Sequence, residues 1–233
     1  MIIGIAGNIN SGKDTVASML LYIHQVGKNN AKYADWLTKR LAYDNSFKHK
    51  IIHFADIAKN NISKILGISV DFFNNRMYKD ELWYIPSKGR FIEEKDIAKH
   101  KVINLENIHE LDITNKKHIV KLRTLIQSYA ESCKKIFGNN TWIANTMRIA
   151  SEINSIHRIC IIPDVRFKNE CSWIQSYSGI VIYITRTYNE IKSNHESENN
   201  NDIFYDFNIN NDSNQQSLFF KVLAIYDQIK HIL

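Results

Sequence analysis

The sequence is poor in cysteine and proline, with three cysteines and two prolines among its 233 residues. The cysteines are odd in number and lack the spacing of metal ligands, so we expect reduced thiols and no structural zinc. No apolar run approaches the roughly 20 residues that a membrane-spanning helix requires. The first residues also lack the basic segment and cleavage site of a secretory signal. These absences predict a soluble, cytoplasmic protein with no membrane partner.

Positive charge exceeds negative charge by six, but no dense block of Lys and Arg concentrates it. A modest excess suits an anionic partner, and nucleotides satisfy it as well as a polynucleotide does. Because no basic track is visible, we expect no direct binding of nucleic acid. Apolar residues make up 44% of the chain, which is enough to fill a core.

Short apolar runs alternate with helical patterns along the chain. The predicted strands are residues 1–6, 51–54, 158–162 and 180–184, with an edge strand at 207–209. The predicted helices start at Lys13, run from 57 to a stop at Gly67, span 119–137 and 141–153, and follow a cap at Ser213; another helical piece is expected within 28–49. This alternation predicts an α/β protein with a mostly parallel central sheet between helical layers, a three-layer fold.

We expect a single domain, residues 1–233, because neither a repeat nor a clear linker is visible. Its core is predicted to comprise residues 1–27, 50–67, 119–186 and 204–233. Residues 68–118 form an irregular insert rich in Lys, Asn and aromatic residues, and 187–202 have the polar composition of a lid. Long irregular segments in a compact domain are usually functional or mobile. The sequence assigns no role to residues 28–49 or 80–118.

A phosphate-binding loop is the strongest motif. Residues 7–13 have the pattern G-x-x-x-x-G-K between a predicted buried strand and an amphipathic helix. Glycines let backbone N–H groups turn inward around a β-phosphate, and the helix directs its positive end at the same oxygens. The lysine can bridge the β- and γ-phosphates. The residues predicted to bind the phosphates of ATP are Gly7, Asn10, Ser11, Gly12, Lys13, Asp14 and Thr15.

The loop departs from the common pattern at one position. The residue after the lysine is usually Ser or Thr, whose hydroxyl binds Mg²⁺, but here it is Asp14, and Thr15 follows. Either Thr15 supplies the hydroxyl from one residue later, or Asp14 reaches the metal through water. The sequence leaves both alternatives open.

Three charged residues follow two later strands. Asp164 stands at the end of an apolar run, where a carboxylate beside the loop can orient Mg²⁺ directly or through water. Arg166 follows it, and Arg186 ends the next strand. Fixed guanidinium groups stabilise the charge of a phosphoryl group in transfer, and ligands of open α/β sheets bind at this edge. Surface ion pairs are the alternative for both arginines.

The candidates for a second substrate are less specific. Arg123 and Gln127 are four residues apart on a predicted helix, so they lie on one face. The guanidinium suits an acceptor phosphate and the amide suits the edge of a base. Asp56 is either a helix cap or a carboxylate near the acceptor, and Trp142 either stacks on a base or fills the core. His195 and Glu198 are either lid contacts or part of a solvated loop.

Together these motifs resemble the phage-type deoxynucleoside monophosphate kinases, within the wider nucleoside monophosphate kinase group of P-loop proteins. Five separated signatures in one order carry the resemblance: Gly7 to Thr15 as G-x-x-x-S-G-K-D-T; Phe54-Ala55-Asp56 with Lys59; Arg123 and Gln127 with Gly138 and Trp142; Asp164-Val165-Arg166-Phe167 with Asn169-Glu170; and His195-x-Ser197-Glu198 ahead of Asp206 and Asn211. The G-K-D-T ending is a normal variant in that family. The matches leave residues 25–50 and 80–118 uncovered.

The resemblance implies a P-loop NTPase-type fold and transfer of a phosphoryl group from ATP, with Mg²⁺, to a deoxynucleoside monophosphate (dNMP). It implies that Lys13 holds ATP, that Arg166 and Arg186 handle the transferred group, and that Asp164 serves the metal. The dNMP would face Asp56, Lys59, Arg123, Gln127 and Trp142, with the insert as the acceptor-binding part. The lid would carry His195, Ser197 and Glu198. Family members are associated with viral DNA precursor supply, often as dimers, which implies the host cytoplasm and a homodimer.

Two rival functions are weighed against this one. A P-loop kinase for another phosphorylated small molecule, such as phosphomevalonate, carries a similar G-K-D loop and would show only a compact cluster of cations. A nucleotide-binding switch or a nucleic-acid-associated ATPase would need a basic track and a partner surface. The resemblance favours the dNMP kinase, which requires a base-sized pocket near Gln127 and Trp142.

Overall fold

The computed structural model describes residues 1–43, 51–67, 69–75, 78, 82–85, 118–157, 159–187 and 204–231. The chain divides into two compact units. Residues 1–54 and 143–233 form the first, which we name the sheet unit, and residues 55–142 form the second, which we name the helical unit. Residues 55–67 and 119–142, expected in the core, thus group with the insert. The expectation that the chain is one domain stays a prediction.

The secondary structure comprises six strands and eight α-helices among the described residues. The strands are β1 (Ile2–Gly7), β2 (Leu82–Ile85), β3 (His118–Lys121), β4 (Cys160–Val165), β5 (Ile180–Thr185) and β6 (Phe207–Asn210). The helices are α1 (Lys13–Gln25), α2 (Tyr33–Tyr43), α3 (Asp56–Leu66), α4 (Val70–Asn74), α5 (Leu122–Phe137), α6 (Thr141–His157), α7 (Lys168–Ser176) and α8 (Gln215–Ile229). A short 3-10 turn, Asn30–Lys32, precedes α2.

The sheet unit is built on four parallel strands in the order β4-β1-β5-β6. Alternate residues of a strand point to opposite faces, and β1 is apolar on both. Ile3 and Ile5 pack with α1, α2 and α8 on one face, whereas Ile2 and Ala6 pack with α6 and α7 on the other. The predicted α/β class and parallel sheet are confirmed, and helices on both faces are compatible with a three-layer fold.

Two predicted strands differ from the structure. Residues 51–54 do not form a strand: Ile51 makes a single parallel bridge to Ile161, and the Ile52 amide donates to the Ile161 carbonyl at 3.0 Å. The predicted strand 158–162 instead runs Cys160–Val165, because β4 continues to pair with β1 as far as Val165. Arg158 lies outside the described residues. Asp164 is therefore inside a strand rather than after it.

Two predicted helix starts are also wrong. The helix expected from residue 119 begins at Leu122, because residues 118–121 are β3, which pairs antiparallel with β2. Strand and helix follow without a break, so their apolar residues merge into one apparent period. The last helix is capped not by Ser213 but by Asn214, whose side-chain oxygen accepts from the Ser217 amide at 2.9 Å.

The helical unit packs α3, α4 and α5 around a small apolar cluster. Ile62, Phe72, Phe73 and Leu122 are buried in it. Helix α3 ends where expected, at Gly67, which adopts the left-handed conformation (φ +67°) that glycine tolerates. None of the helices in the described ranges is both long and apolar enough to span a bilayer.

Candidate phosphate-binding site

The loop between β1 and α1 requires both of its glycines. Gly7 and Gly12 have positive φ, +141° and +100°, as does Asn10 at +60°. A Cβ atom on Gly7 would lie 2.4 Å from the Ile184 carbonyl oxygen, and one on Gly12 would lie 2.5 Å from Asn211 Nδ2. Both distances are below 3.0 Å, a separation that real Cβ atoms essentially never show. Glycine is thus demanded here by backbone conformation and by close neighbours together.

Hydrogen bonds hold the loop in a closed turn. The Ser11 amide donates to the Asn8 carbonyl at 3.2 Å, and Asn211 Nδ2 donates to the Ser11 carbonyl at 2.8 Å. Lys13 Nζ folds back over the loop and donates to the carbonyls of Gly7 and Asn8, at 2.7 Å from the latter. The ammonium group therefore lies over the loop, where an anion bound there would meet it.

The start of α1 points into this loop. Gly12 is the N-cap residue, and no side chain caps the helix there. The first N–H groups of an α-helix have no partner within the helix, and the helix dipole adds partial positive charge. A helix start that follows a glycine loop is therefore suited to bind phosphate.

The hydroxyl of Ser11 is a buried polar group beneath the loop. The residue is 2% exposed, and its Oγ finds no hydrogen-bond partner in the described part of the chain. Leaving a buried hydroxyl unpaired costs about 1–3 kcal/mol. Groups left unsatisfied in this way often mark a functional site.

The strands beside β1 bring both predicted arginines to the same edge of the sheet. β4 and β5 flank β1 in parallel, and Arg166 and Arg186 come directly after them. Arg186 Nη1 contacts the Asn10 carbonyl at 3.4 Å, and both arginines are exposed. Two cations and the phosphate loop thus share the carboxyl edge of the sheet, where ligands of open α/β sheets bind.

The candidate metal ligands have partners of their own. Both carboxylate oxygens of Asp164 accept from the Phe54 amide, at 3.2 and 3.3 Å, so this side chain also anchors the segment that leads into the helical unit. Asp14 Oδ1 lies 4.0 Å from His53 Nε2. The choice between Thr15 and Asp14 stays open.

Glu170 is a site residue to which the sequence assigned no role. It is 7% exposed, and its Oε2 accepts from the amides of Arg166 and Phe167 at 2.7 and 3.0 Å. Burial raises the pKa of its carboxyl to about 7, against the opposing effect of the Arg166 amide. Glu170 lies three residues after the helix cap, which is the spacing of a capping box. That spacing could have revealed that its carboxylate binds the turn that carries Arg166.

The candidates for the second substrate lie in the helical unit. Asp56 is not the cap of α3, since Ala55 holds that position; its carboxylate accepts instead from Lys59 Nζ at 3.2 Å. Lys59 also donates to Asn74 at 3.0 Å. Arg123 and Gln127 are exposed on one face of α5.

Trp142 lies in the interior of the helical unit. It is 8% exposed, its Nε1 donates to the Ala130 carbonyl at 3.1 Å, and its ring is 6.1 Å from that of Tyr129. These contacts are those of the core alternative, and little of the ring is left for a base.

The predicted lid falls almost wholly outside the described residues, and so do His195, Ser197 and Glu198. At its start, the Thr187 amide donates to Asp212 at 2.6 Å, and the Thr187 hydroxyl donates to the same carboxylate. The two bonds from Thr187 lower the pKa of the Asp212 carboxyl below its usual value.

Comparison with known proteins yields no family for this chain. No protein-family model matches it, and a search of curated proteins finds no match. The kinship suggested by the motifs therefore remains a resemblance.

Proposed function

We propose that this protein is a P-loop phosphotransferase that transfers the γ-phosphoryl group of ATP to a deoxynucleoside 5'-monophosphate and so supplies DNA precursors. One observation carries the proposal. A glycine loop with three residues at positive φ joins a buried parallel strand to a helix start, and Lys13 folds over it. That arrangement suits a triphosphate, since a glycine loop can turn its N–H groups toward phosphate oxygens, the helix start adds its dipole and Lys13 supplies a cation at the same place.

The charged groups of the sheet unit suit the chemistry of phosphoryl transfer. Such transfer needs little covalent help from the protein; it needs two phosphates held in line and their charge neutralised. In this proposal Lys13 holds the β- and γ-phosphates. Arg166 and Arg186, from strands on either side of the loop, stabilise charge on the moving group.

The oxygen donors near the loop fit Mg²⁺, the metal that ATP-dependent kinases use. The Thr15 hydroxyl and the carboxylates of Asp14 and Asp164 are hard oxygen ligands, and Mg²⁺ is commonly bound through one or two carboxylates together with phosphates and water. We assign Asp164 and either Thr15 or Asp14 to it. Bound there, Mg²⁺ would neutralise charge on the β- and γ-phosphates.

The acceptor is assigned to the exposed face of α5. Arg123 supplies a guanidinium that can bind a phosphate in two places at once, and Gln127 supplies an amide with both a donor and an acceptor for a base edge. The resemblance to dNMP kinases favours a deoxynucleotide over another phosphorylated molecule. A panel of dAMP, dCMP, dGMP, dTMP, the ribonucleotides and phosphomevalonate would identify the acceptor.

The mechanism is tested most directly by Lys13→Ala. Removing the ammonium group should abolish phosphoryl transfer, at least a hundredfold in kcat, with little effect on the melting temperature. A matched control is Lys64→Ala, which removes an exposed lysine of α3 and should leave activity unchanged. Activity is measured by a coupled assay of ADP release with the acceptor panel. Activity of Lys13→Ala close to that of the wild type would refute the P-loop mechanism.

A further inference from the structure

Asn211 connects the end of the sheet to the phosphate loop. It follows β6 directly and is 7% exposed. Its backbone amide donates to the Thr185 carbonyl at 2.8 Å, and its side-chain Nδ2 donates to the Ser11 carbonyl at 2.8 Å. The side chain is thus held from β5 and reaches the loop across the sheet edge. A buried hydrogen bond between residues 200 positions apart is a feature of the tertiary fold and not of the local turn.

The bond to Asn211 sets the direction of one loop N–H group. In a trans peptide the C=O and the following N–H point in opposite directions, and the described chain has no cis peptide. Because the Ser11 carbonyl points outward to Asn211, the Gly12 N–H points the opposite way. Gly12 has no side chain and a φ of +100°, so its own preferences do not prevent the peptide from rotating. If it rotated, a carbonyl oxygen would face a bound phosphate.

We propose that Asn211 is a positioning residue of the phosphate loop, which holds the Ser11–Gly12 peptide with its carbonyl outward and its N–H available to a phosphate oxygen. The proposal rests on the phosphate-binding role of the loop. Asn211 does not itself touch the nucleotide. It acts through the backbone, in a site where donors fixed in advance are worth more than donors that must reorient.

The chemistry of the side chain explains why an amide is needed. Only a donor can bond to a carbonyl oxygen, and the Asn amide supplies one without a charge. An aspartate of the same size would present a carboxylate to the Ser11 carbonyl and add negative charge beside the phosphates. An alanine would remove the donor but add no repulsion. The two substitutions therefore separate the loss of a bond from the reversal of its polarity.

Neighbouring bonds hold the same junction. Arg186 Nη1 contacts the Asn10 carbonyl at 3.4 Å, and Lys221 Nζ donates to the Asn210 carbonyl at 2.7 Å. Asp212 accepts from the Thr187 amide at 2.6 Å. Hydrogen bonds thus link the turns after β5 and β6 to each other and to the loop, and they fix the position from which Asn211 reaches Ser11.

The test is the affinity of the full-length chain for inorganic triphosphate and for ATP with Mg²⁺, measured by isothermal titration calorimetry. We expect Asn211→Ala to weaken both about tenfold and Asn211→Asp to weaken both at least a hundredfold. The control Asn208→Ala removes an exposed amide of β6. Within the described residues, this side chain makes one hydrogen bond, a long one of 3.4 Å that it accepts from the Thr185 hydroxyl. Both affinities should stay within twofold of the wild type.

The order of the two variants distinguishes positioning from packing. If Asn211 only filled space, the isosteric Asp variant would be the milder one and triphosphate affinity would follow the loss of melting temperature. Equal affinities of the wild type and both variants would overturn the proposal, as would a milder effect of Asp than of Ala. If Asn211→Ala does not fold, Asn211→Asp keeps the volume and decides the question. Failure of the wild-type chain to bind triphosphate would refute the proposed function itself.

Discussion

The phosphate loop of the sheet unit and the exposed face of α5 in the helical unit are built in opposite ways. In the loop, the positive φ of Gly7 and Gly12 and a bond from Asn211 to the Ser11 carbonyl constrain the main chain. On α5, Arg123 and Gln127 are exposed side chains on a helix whose buried residue at that end is Leu122. The first candidate site is built around main-chain groups, and the second consists of exposed side chains on one face of a helix.

Under the proposed function, this difference follows from what each site would recognise. Every nucleoside triphosphate presents the same phosphates, so a rigid set of N–H groups serves them all and loses nothing on reorientation. An acceptor varies in its base, and side chains with several rotamers can adapt to it, at about 0.5–1.5 kcal/mol for each one immobilised. We therefore expect substitutions of the loop glycines to affect stability and function together, and substitutions on α5 to affect function alone.

The largest effect is expected for Gly7→Ala. A Cβ there meets the Ile184 carbonyl oxygen at 2.4 Å and the residue has a positive φ, so the unfolding free energy should fall by about 3 kcal/mol or more, from strain and overpacking together, and ATP binding should be lost. Gly27→Ala is the matched control: its φ is also positive, +132°, but apart from its chain neighbours no atom of the described residues lies within 4 Å of a Cβ built there. It should cost about 1–2 kcal/mol from backbone strain alone. Equal losses in urea unfolding would show that the close contact plays no part.

An intermediate effect is expected for Glu170→Gln. The folded-state pKa of this buried carboxyl is raised from 4.5 to about 7, so the folded protein holds the proton more tightly than the unfolded chain does. Its contribution to stability is complete below about pH 4.5 and is lost as the pH rises through about 7. Gln keeps an oxygen to accept both backbone bonds but does not ionise. The stability of the variant relative to the wild type should therefore be higher at pH 8 than at pH 5. This change should be at most about 3 kcal/mol, at about 1.4 kcal/mol per pKa unit.

Urea unfolding of both proteins at pH 5 and pH 8 measures this difference. Glu152→Gln is the control, because Glu152 is exposed and pairs with Arg148 on the surface of α6. Its stability should follow that of the wild type at both pH values. If Glu170→Gln also follows the wild type, the carboxyl does not titrate in the folded state as described.

The smallest effect on stability, within about 0.5 kcal/mol, is expected for Arg123→Ala, because surface substitutions rarely cost more. Its effect on function should be larger: losing a charged hydrogen bond, about 1.5–3 kcal/mol, should raise the KM for dNMP more than tenfold and leave that for ATP unchanged. Arg148→Ala removes an exposed arginine of α6 as a control. An equal rise of both KM values, or no rise, would remove Arg123 from the acceptor site.

The comparison also explains how much the sequence could predict. The loop was found because its demands are local: glycine where φ is positive, a buried strand before it and an amphipathic helix after it. The parallel sheet followed from alternating apolar runs for the same reason. Element ends were less certain, because Ile119 fits a helical period and yet pairs in β3, and because Asp164 continues in β4 rather than ending it.

Two supports of the site, Asn211 and Asp164, could not be predicted, because they depend on contacts between distant parts of the chain. No local pattern shows that Asn211 bonds to Ser11, or that Phe54 bonds to Asp164. Trp142 was left undecided for a similar reason: its environment depends on α5, through Ala130 and Tyr129. The spacing of residues along a helix shows which side chains share a face, but it does not show how deeply each side chain is buried in the folded protein.

The long separation between Ser11 and Asn211 has a consequence for the order of synthesis. During translation the loop at residues 7–13 leaves the ribosome well before Asn211, the residue bonded to it, which lies 200 positions after Ser11. β1 likewise waits for β4 and β5 before it is flanked, and contacts of such high sequence separation form slowly because a long loop must close first. Nascent chains that stop before residue 211 should therefore bind triphosphate weakly, and the capacity to bind ATP should appear only after residue 211 has been made.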